Sequence, residues 1–304
     1  MITIDLRGGL GNQLFQICTL ISYSYNNNLP YFIEDKDVLR DNKKLEYWNT
    51  IFKYLKDIST FKKLTNEKQI LLKENGFHYT PLQLPLPDES EEIHKLFGYY
   101  QSYKYFDMNK DYLFNLINLE TIKNEVKLKM VSSNIEIDYS NTVSLHFRVG
   151  DYANLQAYHP LMPIQYYIKA LETLIEDTGK NDWNVLCFCE KDDIMYVNEQ
   201  INMIKSSSSI LDNLQFISFI PFISFIISTY SNDSTFVIDD WEEMIIMSLC
   251  HHNIIANSTF SWWAAYMNQC NDTLVYYPEK WFGYRIGNVK MDDLFPEKWK
   301  KICF

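Results

Sequence analysis

The chain of 304 residues carries 39 acidic and 28 basic side chains, a formal charge of −11, and 47 % hydrophobic residues. That length exceeds the size at which single cores usually stop growing, so two domains are expected, each with enough apolar residues for its own core. The acidic balance excludes broad phosphate-backbone binding, because nucleic-acid binders present a basic face; no nucleic-acid partner is expected, and any anionic ligand must be caught by local groups.

The opening "MITIDLRGGLGNQ" has neither a basic n-region nor an apolar h-region, so a cytoplasmic protein with no membrane anchor is expected. "MITIDL" predicts a strand, "GGLGN" a turn, "QLFQICTLISYSYNN" a helix and "PYFIED" a second strand, together a βαβ opening. Three glycines in four residues permit positive φ and close approach of backbone to a ligand, which makes Gly9, Gly11 and Asn12 candidate contacts. The spacing is neither the dinucleotide fingerprint nor a P-loop, and a tight strand-to-helix turn explains the same glycines without a ligand. Residues 40–75, rich in Lys, Leu and Asn, read as mostly helical, and "TPLQLPLPDES" (80–90) is a proline-broken connection. A long amphipathic stretch after "HKLFGYYQSYKYF" leads to the polar "SSNIEIDYSN" (132–141), where the domain boundary is expected, with lobes at 1–138 and 139–304.

The second half opens on "VSLHFRVGDY" (143–152), a strand over 142–147 that gives way to a loop carrying Arg148 and Asp151. In open parallel sheets that edge is where ligands bind; an arginine paired with an aspartate on a surface loop is the plainer alternative. A helix over 163–179, a strand over 183–190, a helix after "KDD", a helix over 241–250, a strand over 253–257 and a helix from "STFSWWAAYM" follow. Such alternation implies parallel sheets covered on both faces. The apolar "LQFISFIPFISFIIS" (214–228) is too short and too broken by Pro221 to span a bilayer. It reads as a buried strand followed by an apolar loop or second strand, the alternative being an exposed patch that docks a partner or a membrane surface; the polar 228–236 reads as a loop. In "NIIANSTFSWW" a buried strand ends at Asn257, and Ser258, Thr259, Phe260 and Ser261 stand where a helix begins. Unpaired N–H groups and hydroxyls there can hold a phosphate, or the serine can simply cap the helix. The six cysteines form no C-x-x-C pair and are expected as buried free thiols.

Taken together, "GGLGNQLFQ", "GYYQSYKYF", "LHFRVGDY", "HPLMPIQYY", "EEMIIMSLCHHNIIANSTFSWWAA" and "YYPEKWF" occur in an order and spacing that resemble the glycosyltransferase family 11 fucosyltransferases over nearly the whole chain. The resemblance implies an α/β fold of GT-B type, two Rossmann-like lobes facing a central cleft, with the C-terminal lobe holding the nucleotide sugar and the acceptor entering mainly from the N-terminal side. It implies GDP-L-fucose as donor, a glycan acceptor such as a galactoside, and an α-1,2-fucoside made with inversion. Arg148 would then stabilise the departing diphosphate, with the helix start at Thr259–Ser261 on its other side, His146 shaping the nucleotide pocket and Asp151 fixing the loop. The family usually has two consecutive arginines, and Val149 takes the place of the second. It usually has an aspartate where Glu243 stands; a carboxylate there can accept from guanine N1–H and the 2-amino group, or can merely favour a helix N-terminus. The general base stays open between Asp151 and His159. No metal is expected: Asp192–Asp193 and Asp239–Asp240 lack the Asp-x-Asp spacing, and Asp192 and Asp193 are expected to cap the next helix. Two alternatives are a catalytically weak sugar-nucleotide-binding protein and a transferase for another deoxysugar or linkage.

Overall fold

In the computed structural model, residues 1–34, 42–64, 68–82, 92–220, 222–224, 236–287 and 289–304 are described. The chain begins with β1 (Ile2–Ile4), every residue of it buried, and turns into α1 (Leu10–Asn27). The apolar residues of α1 recur at helical spacing and bury nearly all of its first fifteen residues; it ends where Asn28 takes a left-handed φ of 52°, which asparagine tolerates. β2 (Ile33–Glu34), α2 (Asn42–Asn49), α3 (Lys53–Ile58), β3 (Phe61–Lys62), β4 (Gln69–Lys73), β5 (Ile93–Phe97), α4 (Lys110–Ile117) and α5 (Leu119–Ser132) follow. β1, β5 and β4 form one parallel sheet in that order, β2 pairs with β3 in parallel, and Ile2 bridges Tyr31 at the approach to β2. The mostly helical reading of residues 40–75 is thus corrected, because strands β3 and β4 occupy part of that span.

The second half supplies β6 (Thr142–His146), α6 (Ile164–Thr178), β7 (Asn184–Phe188), α7 (Ile194–Lys205) and β8 (Gln215–Ser218). It continues with α8 (Asp240–Leu249), β9 (His252–Ile254), α9 (Thr259–Tyr266), β10 (Val275–Pro278) and β11 (Lys300–Ile302). These strands make one six-stranded sheet, order β11-β10-β9-β6-β7-β8, parallel throughout. From β6 the chain winds outward through β7 to β8, then returns to the other side of β6 and winds outward through β9, β10 and β11. That is the doubly wound order, and its direction reverses between β6 and β9. β6 is buried along its whole length, and Val143, Leu145, Tyr166, Leu171, Val185 and Ile254 lie in one apolar core beneath the sheet edge. Trp262 and Trp263 of α9 are fully buried in the core.

The chain divides into two units, Met1–Ile122 with Val289–Pro296, and Lys123–Asn288 with Glu297–Phe304. The boundary expected at residue 138 therefore lies inside the second unit. The cause is that α5 already docks there: the Lys123 ammonium donates to the Met267 carbonyl at 2.7 Å, and Lys129 grips both oxygens of Glu242 at 2.6 Å. The return of 289–296 to the first unit is fixed by the Ser102 hydroxyl, which donates to the Asp293 carbonyl at 2.6 Å, and by a Lys104–Asp293 ion pair. Both units are α/β with parallel sheets, the class expected of a GT-B type chain.

β8 is an edge strand with no buried residue, so the expectation of a buried strand at the start of 214–228 is corrected. Pro221, residues 225–228 and the loop as far as 235 lie outside the described residues. Among the described residues no helix is long and apolar enough to cross a membrane. All six cysteines are free, but only four are buried; Cys270 is half-buried and Cys303 exposed.

Candidate active site

The reversal of winding between β6 and β9 leaves their C-terminal ends side by side with a helix leaving each edge, the place where open α/β sheets bind ligands. The β6 end delivers His146 and then Arg148; the β9 end delivers Asn257, Ser258 and the start of α9. His146 and Phe260 lie with ring centroids 5.8 Å apart, so the two elements meet through these side chains.

The register of β6 on β7 decides what Arg148 touches. His146 is opposite Phe188, so Arg148 and Glu190 each lie two residues beyond a paired position and their side chains meet in an ion pair. Asp151 takes the other guanidinium nitrogen at 2.5 Å, and the guanidinium carbon sits 5.0 Å from the centroid of the Tyr152 ring. The Arg–Asp pairing that the sequence left as the plainer alternative is therefore present, but as half of a two-carboxylate clamp at the sheet edge. Gly150 makes the sharp turn between them at φ +34°, and its N–H donates to Asp193 at 2.8 Å. A side chain at Gly150 would press on the Glu190 carboxylate, about 2.9 Å from the new carbon. Asp193 stands at the start of α7 but makes no cap bond there, which corrects the capping role expected of it: its carboxylate holds the Arg148 loop instead.

His146 is buried, and burial with the nearby Arg148 charge pulls its pKa down to about 3, so the imidazole is neutral. Its Nδ1 has no hydrogen-bond partner among the described residues, although the atom is shielded from solvent. A polar atom left open in this way costs free energy unless a ligand satisfies it. His159 is half-buried and stacks on Tyr152 at 4.7 Å; burial lowers its pKa, with Asp151 opposing the shift and Arg148 adding to it. The Tyr152 hydroxyl donates to the Asn257 carbonyl at 3.3 Å, closing a ring from Arg148 through Tyr152 to the β9 end.

At that end the polar groups are partly committed. The Ser258 hydroxyl accepts from the Phe260 N–H at 3.3 Å and so caps α9, and the Ser261 hydroxyl donates back to the Ser258 carbonyl at 3.3 Å. Thr259 and Phe260 are half-buried beside them. Asn257 donates to the carbonyls of Pro160 and Trp281, at 2.9 and 3.1 Å, which ties the loop after Arg148 to a distant turn. Its Oδ1 is buried without a partner among the described residues. Glu243, on the first turn of α8, is half-buried near other acids: burial, Asp240 and Glu190 push its carboxyl up to about 8. Glu242 next to it is the helix-start residue, closing a capping box with Asp239.

Gly9, Gly11 and Asn12 belong to the first unit. The glycine that needs its freedom there is Gly8, at φ +72°, where a side chain would collide with Asn12. Gly9 is the uncapped residue before α1, Gly11 is buried within the helix, and Asn12 accepts from Gln101 at 2.9 Å. The strand-to-helix turn is held by Gln13 and Gln16: the first donates to the Gly8 carbonyl at 3.0 Å, the second accepts from the Arg7 N–H at 2.8 Å.

The sequence model of Glycosyl transferase family 11 matches residues 1–302. The chain belongs to that family. It is 27 % identical to the Escherichia coli O-antigen biosynthesis glycosyltransferase WbnK, over 94 % of this chain and 95 % of that one. It is equally 27 % identical to an Escherichia coli alpha-1,2-colitosyltransferase, over 99 % of both chains. A galactoside 2-alpha-L-fucosyltransferase of Caenorhabditis elegans is 25 % identical over 99 % of this chain and 79 % of its own.

Within this glycosyltransferase 11 chain, the departure at Val149 has a structural counterpart. Its side chain is buried in the core cluster with Phe147 and Met162, so the position of the usual second arginine is spent on packing. Sequence reasoning missed Glu190 and Tyr152, and gave Asp193 a capping role in place of its bond to the Arg148 loop. Glu190 stands two residues beyond Phe188 of β7, as Arg148 stands two beyond His146, the partner of Phe188, and that common offset becomes a contact only through the register of the two strands.

Proposed function

We propose that the protein transfers L-fucose from GDP-L-fucose to a sugar hydroxyl, forming an α-1,2 linkage to galactose or a similar acceptor with inversion at the anomeric carbon, and that it acts in the cytoplasm without metal or cofactor. The observation that carries this reading is the convergence of Arg148 and the start of α9 on the switch point of the six-stranded sheet. In such a transfer C1 becomes oxocarbenium-like while negative charge builds on the departing diphosphate, and that charge must be stabilised as it develops. Arg148 is permanently charged and forked to grip phosphate oxygens. With no ligand its fork is taken by Asp151 and Glu190, so the diphosphate enters by exchanging carboxylate for phosphate partners. The open Nδ1 of neutral His146 supplies a hydrogen bond to the nucleotide sugar rather than charge. Of the two candidate bases, Asp151 is tied to Arg148, while His159 has a pKa lowered by burial and so is neutral and able to take the acceptor's proton.

Donor identity has a second reading, another deoxysugar, which the full-length match to an alpha-1,2-colitosyltransferase favours. The test is acceptor-dependent GDP release from GDP-fucose over an array of galactosides, with mass spectrometry and linkage analysis of the product. A 1→2 fucoside is expected. GDP-fucose binding without turnover on any acceptor would make the protein a sugar-nucleotide binder, and turnover only with another GDP-deoxysugar would move the donor. Turnover is expected to persist in excess EDTA; a loss that Mn²⁺ restores would overturn the donor-site assignment.

A further inference from the structure

At the opposite end of β9 from Asn257, three unlike ligand groups come together. The Nε2 of His251, which precedes the strand, lies 3.2 Å from Asp272 Oδ1, and the Cys270 Sγ lies 3.1 Å from the same oxygen. All three donor atoms fall within 4.8 Å of one another. Around a tetrahedral ion with bonds of about 2.0–2.3 Å, ligand atoms are separated by roughly 3.3–3.8 Å, so small side-chain adjustments bring this trio to bonding geometry.

The backbone that carries the three ligands is tied together by one buried side chain. Asn268 donates from Nδ2 to the Cys250 carbonyl at 2.7 Å, just before His251, and accepts at Oδ1 from the Cys270 N–H at 2.9 Å. The same Nδ2 donates to Asn253 Oδ1 at 2.8 Å, and Asn253 donates in turn to Ser144 and to the Met247 carbonyl. The His251 N–H is fixed by the carbonyls of Tyr139 and Thr142, and the return of the chain after Asp272 is fixed by the Leu274 N–H donating to His252 Nδ1 at 3.0 Å. Held on both sides, the backbone that carries the three ligands is already in place, so an ion has mainly the exposed Asp272 side chain to order.

We propose that His251, Cys270 and Asp272 form a binding site for one divalent transition ion of borderline softness, Zn²⁺ by its chemistry, with a solvent molecule in the fourth position. Nitrogen, sulfur and carboxylate oxygen in one trio match zinc rather than magnesium or calcium, which take oxygen alone. Binding forms a metal–sulfur bond as the Cys270 thiol gives up its proton to solvent, so one proton is released per ion and affinity rises with pH. The site lies at the N-terminal edge of the sheet, away from the switch point, so its effect is to staple the turn after α9 to the start of β9 and stabilise the second unit rather than to take part in transfer.

The test uses the full chain stripped with chelator and titrated with Co²⁺. The expected result is a near-ultraviolet thiolate-to-cobalt band saturating at one equivalent, bleached by one equivalent of Zn²⁺ and absent in Cys270→Ser. His251→Gln is expected to weaken binding by about tenfold or more while the protein stays folded by circular dichroism. Absence of the band, or a band that Cys270→Ser leaves intact, overturns the site, as does binding that fails to saturate at one equivalent. Because the readout is spectroscopic, it stands or falls independently of the donor and acceptor.

Discussion

The two ends of β6 and β9 use their amide and imidazole side chains differently. At the N-terminal end Ser144, Asn253 and Asn268 form a closed network in which the amides satisfy one another, a serine hydroxyl and two backbone carbonyls. At the C-terminal end, a few residues along the same strands, His146 Nδ1 and Asn257 Oδ1 are buried without partners among the described residues, and two carboxylates share one arginine. Packing alone would favour the first arrangement everywhere, since each open buried polar atom costs about 1–3 kcal/mol. Open buried atoms occur elsewhere among the described residues too, Tyr139 Oη, Asn141 Oδ1 and Thr273 Oγ1 near the N-terminal end included, but those at the C-terminal end stand beside an arginine whose carboxylate partners a ligand could replace.

If that division holds, a conservative change at the open end should alter rate and leave stability alone. Arg148→Lys keeps the charge but loses the fork, and its bonds matter most as the leaving charge develops, so kcat should fall by about 10²-fold or more with little change in melting temperature. Initial rates of GDP release read this directly. A near-normal kcat in the folded variant would remove Arg148 from the transition state and erase the contrast between the two ends.

The closed end should behave in reverse. Asn268→Ala leaves the Cys250 carbonyl, the Cys270 N–H and Asn253 Oδ1 without their partner, which should lower unfolding free energy by roughly 2–3 kcal/mol in urea titration. The kcat of the folded fraction should stay within about twofold of the parent. A rate loss matching that of Arg148→Lys would mean that the network serves the chemistry after all.

How much of this was legible in the sequence follows the same line. β6, α6, β7 and α8 were readable because each repeats an apolar period that its burial requires, and the Arg148 edge followed from where the first of those periods stops. β4 was not, because "QILLK" alternates between exposed and half-buried positions and its surroundings are rich in helix-forming lysine and leucine. The unit boundary was misplaced because polar composition marks a linker, whereas Lys123 and Lys129 had already committed α5 to the second unit. Glu190 could not be paired with Arg148 from the sequence, since the two are brought together by strand register, and register between parallel strands is set by crossovers rather than by any local signal.

The smallest effect, and the sharpest on specificity, belongs to Glu243. Its carboxyl is pushed up to about 8, first by burial and then by Asp240 and Glu190, so near pH 7 it is mostly protonated when no ligand is bound. A folded-state pKa above the ordinary value near 4.5 means the native state holds the extra proton: the favourable contribution is full at acid pH and is lost as pH rises from about 4.5 through about 8. Glu243→Gln should therefore flatten the decline of stability over that window. A guanine base offering N1–H and a 2-amino group calls for the ionised carboxylate, so part of its binding free energy is spent on deprotonation, and GDP affinity should rise as pH approaches 8. At pH 7 the same substitution should weaken GDP binding by only about 1–2 kcal/mol, with much less effect on UDP, and the gap should widen at pH 8. Calorimetric titration of both nucleotides at the two pH values separates the possibilities. Equal small losses for GDP and UDP, unchanged with pH, would return Glu243 to the helix start it shares with Glu242 and leave guanine to be read by groups around His146.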